Sequence, residues 1–402
     1  MGKNKILFIN HFAGVPGLNE RSLRHFIISK NLRSKDYDSF IITSQNHYHA
    51  IGSKKYPYNK VVIIDGVNFI FVKELSFKKN NLFTKFLKMT SFSTTLFFVF
   101  FLNKIKLNKV KIVYSSSPDL FTSYVSYYIA KKNKAKHYFE VRDIWPLSQQ
   151  ILHNFSKNNI LIKILSKIEF FLYKNSDFLI SPLKNFPIFM KKNKISTPFK
   201  FIPQTYFSYN NNLKFSHDLK LDDFDKVGIY AGTVGKFYCV ENILKSFPAE
   251  LKEKIAIIII GDGDAFESLK LLANQHNLNN FFILDSVDHS ALVSYYAAAD
   301  FAIGSHPDFN ELYQYGLCPL KTYDYMYHKL PILFIGNKKF LDIESSGLFE
   351  TKFNDNIALR DAFFKLDKLS TDELKQEGIV NYKSVTKNNS PEVLVQNFKD
   401  II

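Results

Sequence analysis

The stretch IAIIIIGDG, residues 255–263, decides how this chain is read. Its apolar residues run on without polar alternation, so a strand formed here is buried on both faces, the situation of a central strand in a parallel sheet covered by helices. The Gly-Asp-Gly that follows turns the chain toward a helix. Similar units surround it: DKVGIYAGTVG (225–235), FFILDSV (281–287), DFAIGS (300–305) and LPILFIG (330–336) are apolar runs closed by Gly, Ser or Asp positions.

The first half of the chain repeats the pattern. KILFIN (5–10), DSFIITS (38–44), KVKIVYSS (109–116), KHYFEVRD (136–143) and FLISP (178–182) read as strands. The segments RSLRHFIISKNL (21–32) and SYVSYYIAKK (123–132) read as helices. Strands separated by helices of this length pair in parallel through right-handed crossovers. The expected fold is α/β, two doubly wound Rossmann-like domains facing a cleft. An N-terminal domain over 1–205, an Asn-rich linker over 206–225, a C-terminal domain over 226–380 and a last segment, 381–402, packing back on the first domain complete the division. In such sheets ligands sit outside the carboxyl ends of the strands.

A chain of 402 residues with 46% hydrophobic content can bury two cores. Its start runs straight into a strand-like segment with no cleavable signal pattern, and its two cysteines, Cys239 and Cys318, cannot build a zinc cluster. A cytoplasmic setting is expected. The formal net charge of +16 admits nucleic acid, an anionic membrane or phosphorylated small molecules as partners. No zinc-finger spacing or RNA-binding aromatic signature is present, so nucleic acid is not expected. The Lys-flanked aromatic stretch 82–109 suits either a helix packed on the sheet or one lying in an anionic membrane interface.

Three strand-end loops have the residues that handle phosphate. In NHFAGVPG, Gly14 and Gly17 let backbone amides approach an anion. Gly232, Thr233, Gly235 and Lys236 form the second loop, and Gly261, Asp262 and Gly263 the third. YGLCPLKTYDYMYHKLPIL (315–333) adds Lys321 and Asp324, three residues apart and so on one helix face, where a surface ion pair is the plain alternative to a ligand site.

These motifs, with EVRDIWPLS (140–148) and AAADFAIG (297–304), resemble the retaining glycosyltransferases of family 4, which have the GT-B fold. Within that family the chain is similar to bacterial O-antigen and capsule sugar transferases like the N-acetyl-L-fucosamine transferase. The resemblance implies a nucleoside diphosphate sugar, expected to be a UDP sugar, as co-substrate. It implies a glycan or polyprenyl-diphosphate-linked acceptor, no metal or other cofactor, and a peripheral position at the inner face of the membrane. It places Asp324 on the donor ribose, the turn containing Gly316 and Leu317 on the diphosphate, and Lys321 as a cation there; Lys236, in its glycine loop, reads as a second phosphate cation or as a solvated surface lysine. It leaves His11, Arg142 and Asp143 as catalytic candidates, and Asn10, Gly14, Arg21 and Glu140 on the acceptor side. The family's first glutamate falls at Gly316, its usual sugar-binding His at Arg142, and its small residue before the second Pro at Lys329. Asp262-Gly263-Asp264 has the spacing of a metal-binding pair, but its place late in the strand–helix series reads as a loop. A nucleotide-sugar epimerase of the same fold and a non-catalytic basic adaptor are the rival readings.

Overall fold

The structure is a computed structural model, and it describes residues 3–18, 22–32, 37–46, 55–77, 82–207 and 219–402. The chain divides into two compact units, one of residues 1–203 with 391–402, the other of residues 204–390. The expected boundary at 205 falls close to this division. The return to the first unit begins at Pro391 rather than at 381, because the helix Thr371–Asn388 packs in the second unit against Leu320–Tyr327. Much of the expected linker lies outside the described residues.

The first unit holds eight strands: β1 (Asn4–Ile9), β2 (Tyr37–Thr43), β3 (Val61–Ile64), β4 (Val67–Phe71), β5 (Val110–Ser116), β6 (Lys136–Glu140), β7 (Phe178–Ser181) and β8 (Phe199–Phe201). Their order is β3-β4-β2-β1-β5-β6-β7-β8, parallel except for the hairpin β3–β4. That hairpin turns at Asp65-Gly66, both at positive φ. The helix Leu82–Phe101 buries Met89, Phe92, Leu96, Val99 and Phe100 in this unit's core and leaves Phe83, Phe97 and Phe98 exposed. Lys132 closes its C-terminus, donating to the carbonyls of Phe100 (2.9 Å) and Phe101 (3.2 Å). The C-terminal helix Pro391–Lys399 lies on the helix Arg24–Asn31, with Phe398 against Phe8 and Tyr114.

In the second unit the strands are β9 (Lys226–Ala231), β10 (Ile255–Ile260), β11 (Phe281–Leu284), β12 (Phe301–Ser305), β13 (Ile332–Ile335) and β14 (Leu348–Thr351). They are all parallel and ordered β11-β10-β9-β12-β13-β14. The all-apolar β10 is buried along its whole length, as its sequence requires. The order reverses between β9 and β12, which makes the carboxyl ends of those two strands the switch point of the sheet. Lys329 occupies the left-handed region (φ 60°) at the end of the helix Leu320–Tyr327, the conformation glycine usually supplies. The strand that follows is held by Leu330 N–H to the Tyr325 carbonyl (3.0 Å) and by Asn381 Nδ2 to the Leu330 carbonyl (2.8 Å).

The loops after β9 and β10 pack backbone against backbone. Gly232 N–H donates to the Ile260 carbonyl (2.9 Å) and Val234 N–H to that of Asp262 (2.8 Å). A Cβ on Gly261 would lie 1.8 Å from the Gly232 carbonyl oxygen, so no side chain fits there. Gly261→Ala must push the two loops apart, at a cost of about 1–3 kcal/mol. We expect a thermal midpoint lowered by several degrees, with far-UV circular dichroism unchanged before melting. An unchanged midpoint would mean that the loops are not so tightly apposed.

Candidate functional site

In the first unit the strand ends carry a closed polar network. Glu140, at the end of β6, is fully buried. It accepts from Arg24 Nε (2.6 Å) and Ser116 Oγ (3.0 Å), and its other neighbour is His25 Nε2 at 3.2 Å. Burial opposes its ionisation, but the Arg24 charge and the His25 hydrogen bond hold the carboxyl well below the usual range. Arg24 also donates from Nη1 and Nη2 to the carbonyls of Pro203 and Ile202. Asn10 is buried as well, its Oδ1 accepting from Phe12 N–H (2.9 Å) and its Nδ2 3.3 Å from His25 Nδ1. Gly14 donates its N–H to the Ser22 carbonyl (2.9 Å), and a Cβ there would strike that same group. Glu140, Asn10 and the Gly14 amide therefore serve the protein itself, and the acceptor role expected for them is corrected on that ground. Arg21 lies outside the described residues.

His11 is fully buried between two carboxylates that the sequence reading did not single out. Its Nε2 is hydrogen-bonded to Glu74, its Nδ1 lies 3.2 Å from Asp119 Oδ2, and its ring stacks on Phe92. Burial alone would lower its pKa, yet Asp119 and Glu74 together hold it up at about 9. An imidazolium enclosed in this way touches no substrate, so the catalytic role expected of His11 is corrected to a structural one. Arg142 and Asp143 differ. Arg142 is half-buried, with Nη1 donating to Ser22 Oγ (2.8 Å), and Asp143 is exposed. The backbone N–H groups of both donate to Ser117 Oγ. They make no direct ion pair with each other, and Asp143 is the exposed group of the two at this strand end.

The second unit's switch point is built differently. Lys321, in the first turn of the helix Leu320–Tyr327, points under β9, where Nζ donates to Tyr230 Oη (3.0 Å). The ammonium lies 4.2 Å from the centroid of the Tyr230 ring and 5.0 Å from that of Tyr238. A Cβ on Gly232 would come within 3.4 Å of it, so the glycine at φ 151° leaves the space open. Among the described residues no carboxylate pairs with Lys321. Desolvation pushes its pKa down to about 7. A cation with aromatic walls and no counter-charge is poised for an anion.

Asp324 does not pair with Lys321 across its helix face. It accepts from His289 Nε2 (2.9 Å), at the start of the helix His289–Ala297. His289 was not foreseen. His306, also missed, follows β12, and its buried ring is stacked on Phe334. The turn expected to face a diphosphate keeps only part of its donors. Gly316 N–H goes to the Tyr313 carbonyl (2.8 Å) and Leu317 N–H to that of Phe340 (2.8 Å), which corrects both as anion contacts. Leu320 and Lys321, at the uncapped helix start, are left with open N–H groups. Gly261 and Gly263 serve the packing of the two loops, and a Cβ on Gly263 would lie 2.2 Å from the Val234 carbonyl oxygen. Gly235 is buried, while Thr233, Asp262 and Lys236 are exposed. The Thr233 carbonyl accepts from Tyr230 Oη (2.7 Å), and Lys236 donates its N–H to Asp264 Oδ1 (3.0 Å). Among the described residues no group of three His, Cys, Asp or Glu is arranged to hold a metal.

Titration of His11 has a definite sign. Its folded pKa is raised above the unfolded value of 6.5, so its contribution to stability is complete below pH 6.5 and is lost as pH climbs through about 9. The gap in thermal midpoint between wild type and His11→Gln, a difference that cancels groups common to both, should narrow between pH 6.5 and 9.5. A gap that stays constant would show that His11 is not an imidazolium in the folded chain.

Comparison with known proteins fits this architecture. Residues 212–335 match the family model described as glycosyl transferases group 1. An uncharacterized glycosyltransferase of Methanocaldococcus jannaschii is 30% identical over 142 residues, a match spanning 33% of this chain and 36% of that relative. Among solved structures, sucrose-phosphate synthase from Thermosynechococcus elongatus superposes with a TM-score of 0.72 at 12% identity, covering 99% of this chain and 98% of that one. HepE of Anabaena in complex with UDP gives a TM-score of 0.63 at 13% identity, covering 98% of both chains. A UDP-forming trehalose-phosphate synthase from Burkholderia xenovorans in complex with glucose-6-phosphate gives 0.67 at 11% identity, covering 99% of both. The chain thus has the GT-B fold, and the part of it that carries the Lys321 site matches the glycosyl transferases of group 1.

Proposed function

We propose that this protein transfers a sugar from a nucleoside diphosphate donor, UDP-linked, to a glycan or polyprenyl-diphosphate-linked acceptor, with retention and without a metal. The setting would be the synthesis of a bacterial surface polysaccharide, and the acceptor and donor choices would follow those of the N-acetyl-L-fucosamine transferases it resembles. One observation carries the reading: at the switch point of the second sheet, Lys321 offers a desolvated ammonium that no carboxylate among the described residues neutralises. A departing diphosphate supplies the missing charge, and fixed cations aimed at a leaving group are often the largest catalytic contribution. Asp324, held through Oδ2 by His289, keeps Oδ1 for ribose hydroxyls. The UDP complex of HepE and the UDP-forming synthase support a uridine donor. Asp264, spent on the Lys236 amide, supports a role for that loop other than metal binding. Arg142 and Asp143 remain for the acceptor, and no covalent nucleophile is invoked.

A caged cation burdens the fold. Lys321 titrates below its unfolded value of 10.5, so its penalty is full below about pH 7 and fades as pH rises toward 10.5. Lys321→Met should therefore raise the thermal midpoint at pH 6.5 while weakening UDP binding about tenfold or more. Calorimetric titration with UDP and a melting curve test both halves. Undiminished UDP affinity in that variant removes the site, and turnover of a UDP-sugar without acceptor favours the epimerase.

The same proposal puts the protein at the inner face of the cell membrane. No described helix is long and apolar enough to cross one. The helix Leu82–Phe101 nevertheless exposes Phe83, Phe97 and Phe98, and Leu102 beyond it is 62% exposed, followed by Lys104 and Lys106. Rings among acyl chains with lysines at the headgroups suit peripheral binding. Wild type should float with vesicles containing phosphatidylglycerol at low salt, and a Phe97→Ser, Phe98→Ser double variant should bind several-fold less. Equal binding of the two would take this helix out of the account.

A further inference from the structure

Near Lys321 lies a buried polar atom that has no hydrogen-bond partner among the described residues. His306 directly follows β12, so it leaves the sheet at the same switch point as Gly232, which follows β9. Its residue is only 5% exposed, yet Nε2 has no hydrogen-bond partner. The backbone around it is fixed: His306 N–H donates to the Ile335 carbonyl (2.9 Å), and the ring stacks on Phe334 with centroids 5.6 Å apart. The ring also meets the edge of Tyr238, at 5.8 Å and 88°. Lys321 approaches that same Tyr238 ring. Burial first, and the Lys321 charge second, keep the His306 imidazole neutral. A neutral imidazole with a free Nε2 is a hydrogen-bond donor in one of its tautomers. Other buried polar atoms of the described residues also lack a partner, Thr351 Oγ1 at the end of β14 among them, but His306 is the one whose ring meets the Tyr238 ring that Lys321 approaches.

We propose that His306 contacts the donor diphosphate, giving its Nε2–H to a phosphate oxygen of the group that Lys321 neutralises. This rests on the nucleotide-diphosphate reading above and adds to it a residue that the sequence did not mark. A charged donor from a helix start, only partly used by Tyr230 Oη, and a neutral one from a strand end lie beside one tyrosine ring. A diphosphate has acceptor oxygens enough for both, and it carries the charge that an ammonium without a carboxylate partner calls for, which a nucleoside lacks.

The test compares UDP with uridine by calorimetry in wild type, His306→Phe and His306→Gln. Phe keeps the stacking on Phe334 and removes the donor, whereas Gln restores a donor near the Nε2 position. His306→Phe should weaken UDP binding about tenfold or more and leave uridine unaffected, and Gln should return UDP affinity to within about threefold of wild type. If Phe impairs folding, the ring-nitrogen resonances of the wild-type chain give the second measurement. The signal absent from the Gln variant should shift with UDP and not with uridine. Wild type and His306→Phe binding UDP equally, or a resonance that UDP does not move, overturns this contact alone. A wild-type protein that binds neither UDP nor GDP overturns the nucleotide reading and the contact together.

Discussion

The second unit depends on a half-buried, partly desolvated ammonium group that no carboxylate among the described residues pairs with. Tyr230 and Tyr238 provide aromatic faces and one hydroxyl acceptor to Lys321, which is less than an ammonium obtains from solvent. The sheet makes that placement possible. Buried β10 fixes the Gly-Asp-Gly turn, and the turn accepts the 232–234 loop at a separation that excludes side chains. That loop returns Thr233 to the Tyr230 hydroxyl and fixes the ring over which Lys321 lies. The apolar strand and the charged site are thus one construction.

The first unit shows the opposite treatment of buried charge. Glu140 has a guanidinium, a hydroxyl and an imidazole, and His11 has two carboxylates. Removing either partner of such a pair leaves an uncompensated charge, so these networks fix geometry and are unavailable to substrate. Arg24 extends the network to the carbonyls of Ile202 and Pro203, where the first unit ends. The strand ends of one sheet thus hold buried charges paired with opposite ones, and those of the other a cation that no carboxylate among the described residues pairs with.

What could be read beforehand follows from how local each signal is. Uninterrupted apolar runs such as IAIIII announce buried parallel strands, because burial on both faces dictates composition residue by residue. The β3–β4 hairpin was missed because VVIIDGVNFIF reads as one apolar run until Asp65-Gly66 is recognised as a turn. Glycine in the loops was legible, but its purpose was not. Gly261 and Gly263 looked like cradles for phosphate, and they are there for the apposing backbone. Long-range partners left no local trace: Glu74 and Asp119 meet His11 across the sheet, and His289 meets Asp324 from another helix. Asp119 had a faint signature, an Asp before a helix with Thr122 three residues on, which it caps.

The pairing of Asp324 with His289 bears on the cation one turn before it. At a spacing of three on a helix, Lys321 and Asp324 can reach each other, and a direct ion pair would be the ordinary result. Such a pair would cancel the charge that the site presents. His289, entering from the neighbouring helix, takes Asp324 Oδ2, while the Tyr230 hydroxyl and ring take the ammonium. Cation and anion are held apart on one helix face, each with capacity left over. The nucleoside diphosphate proposed above would engage both, hydroxyls at Asp324 and phosphates at Lys321, whereas a simple anion would use only one of them.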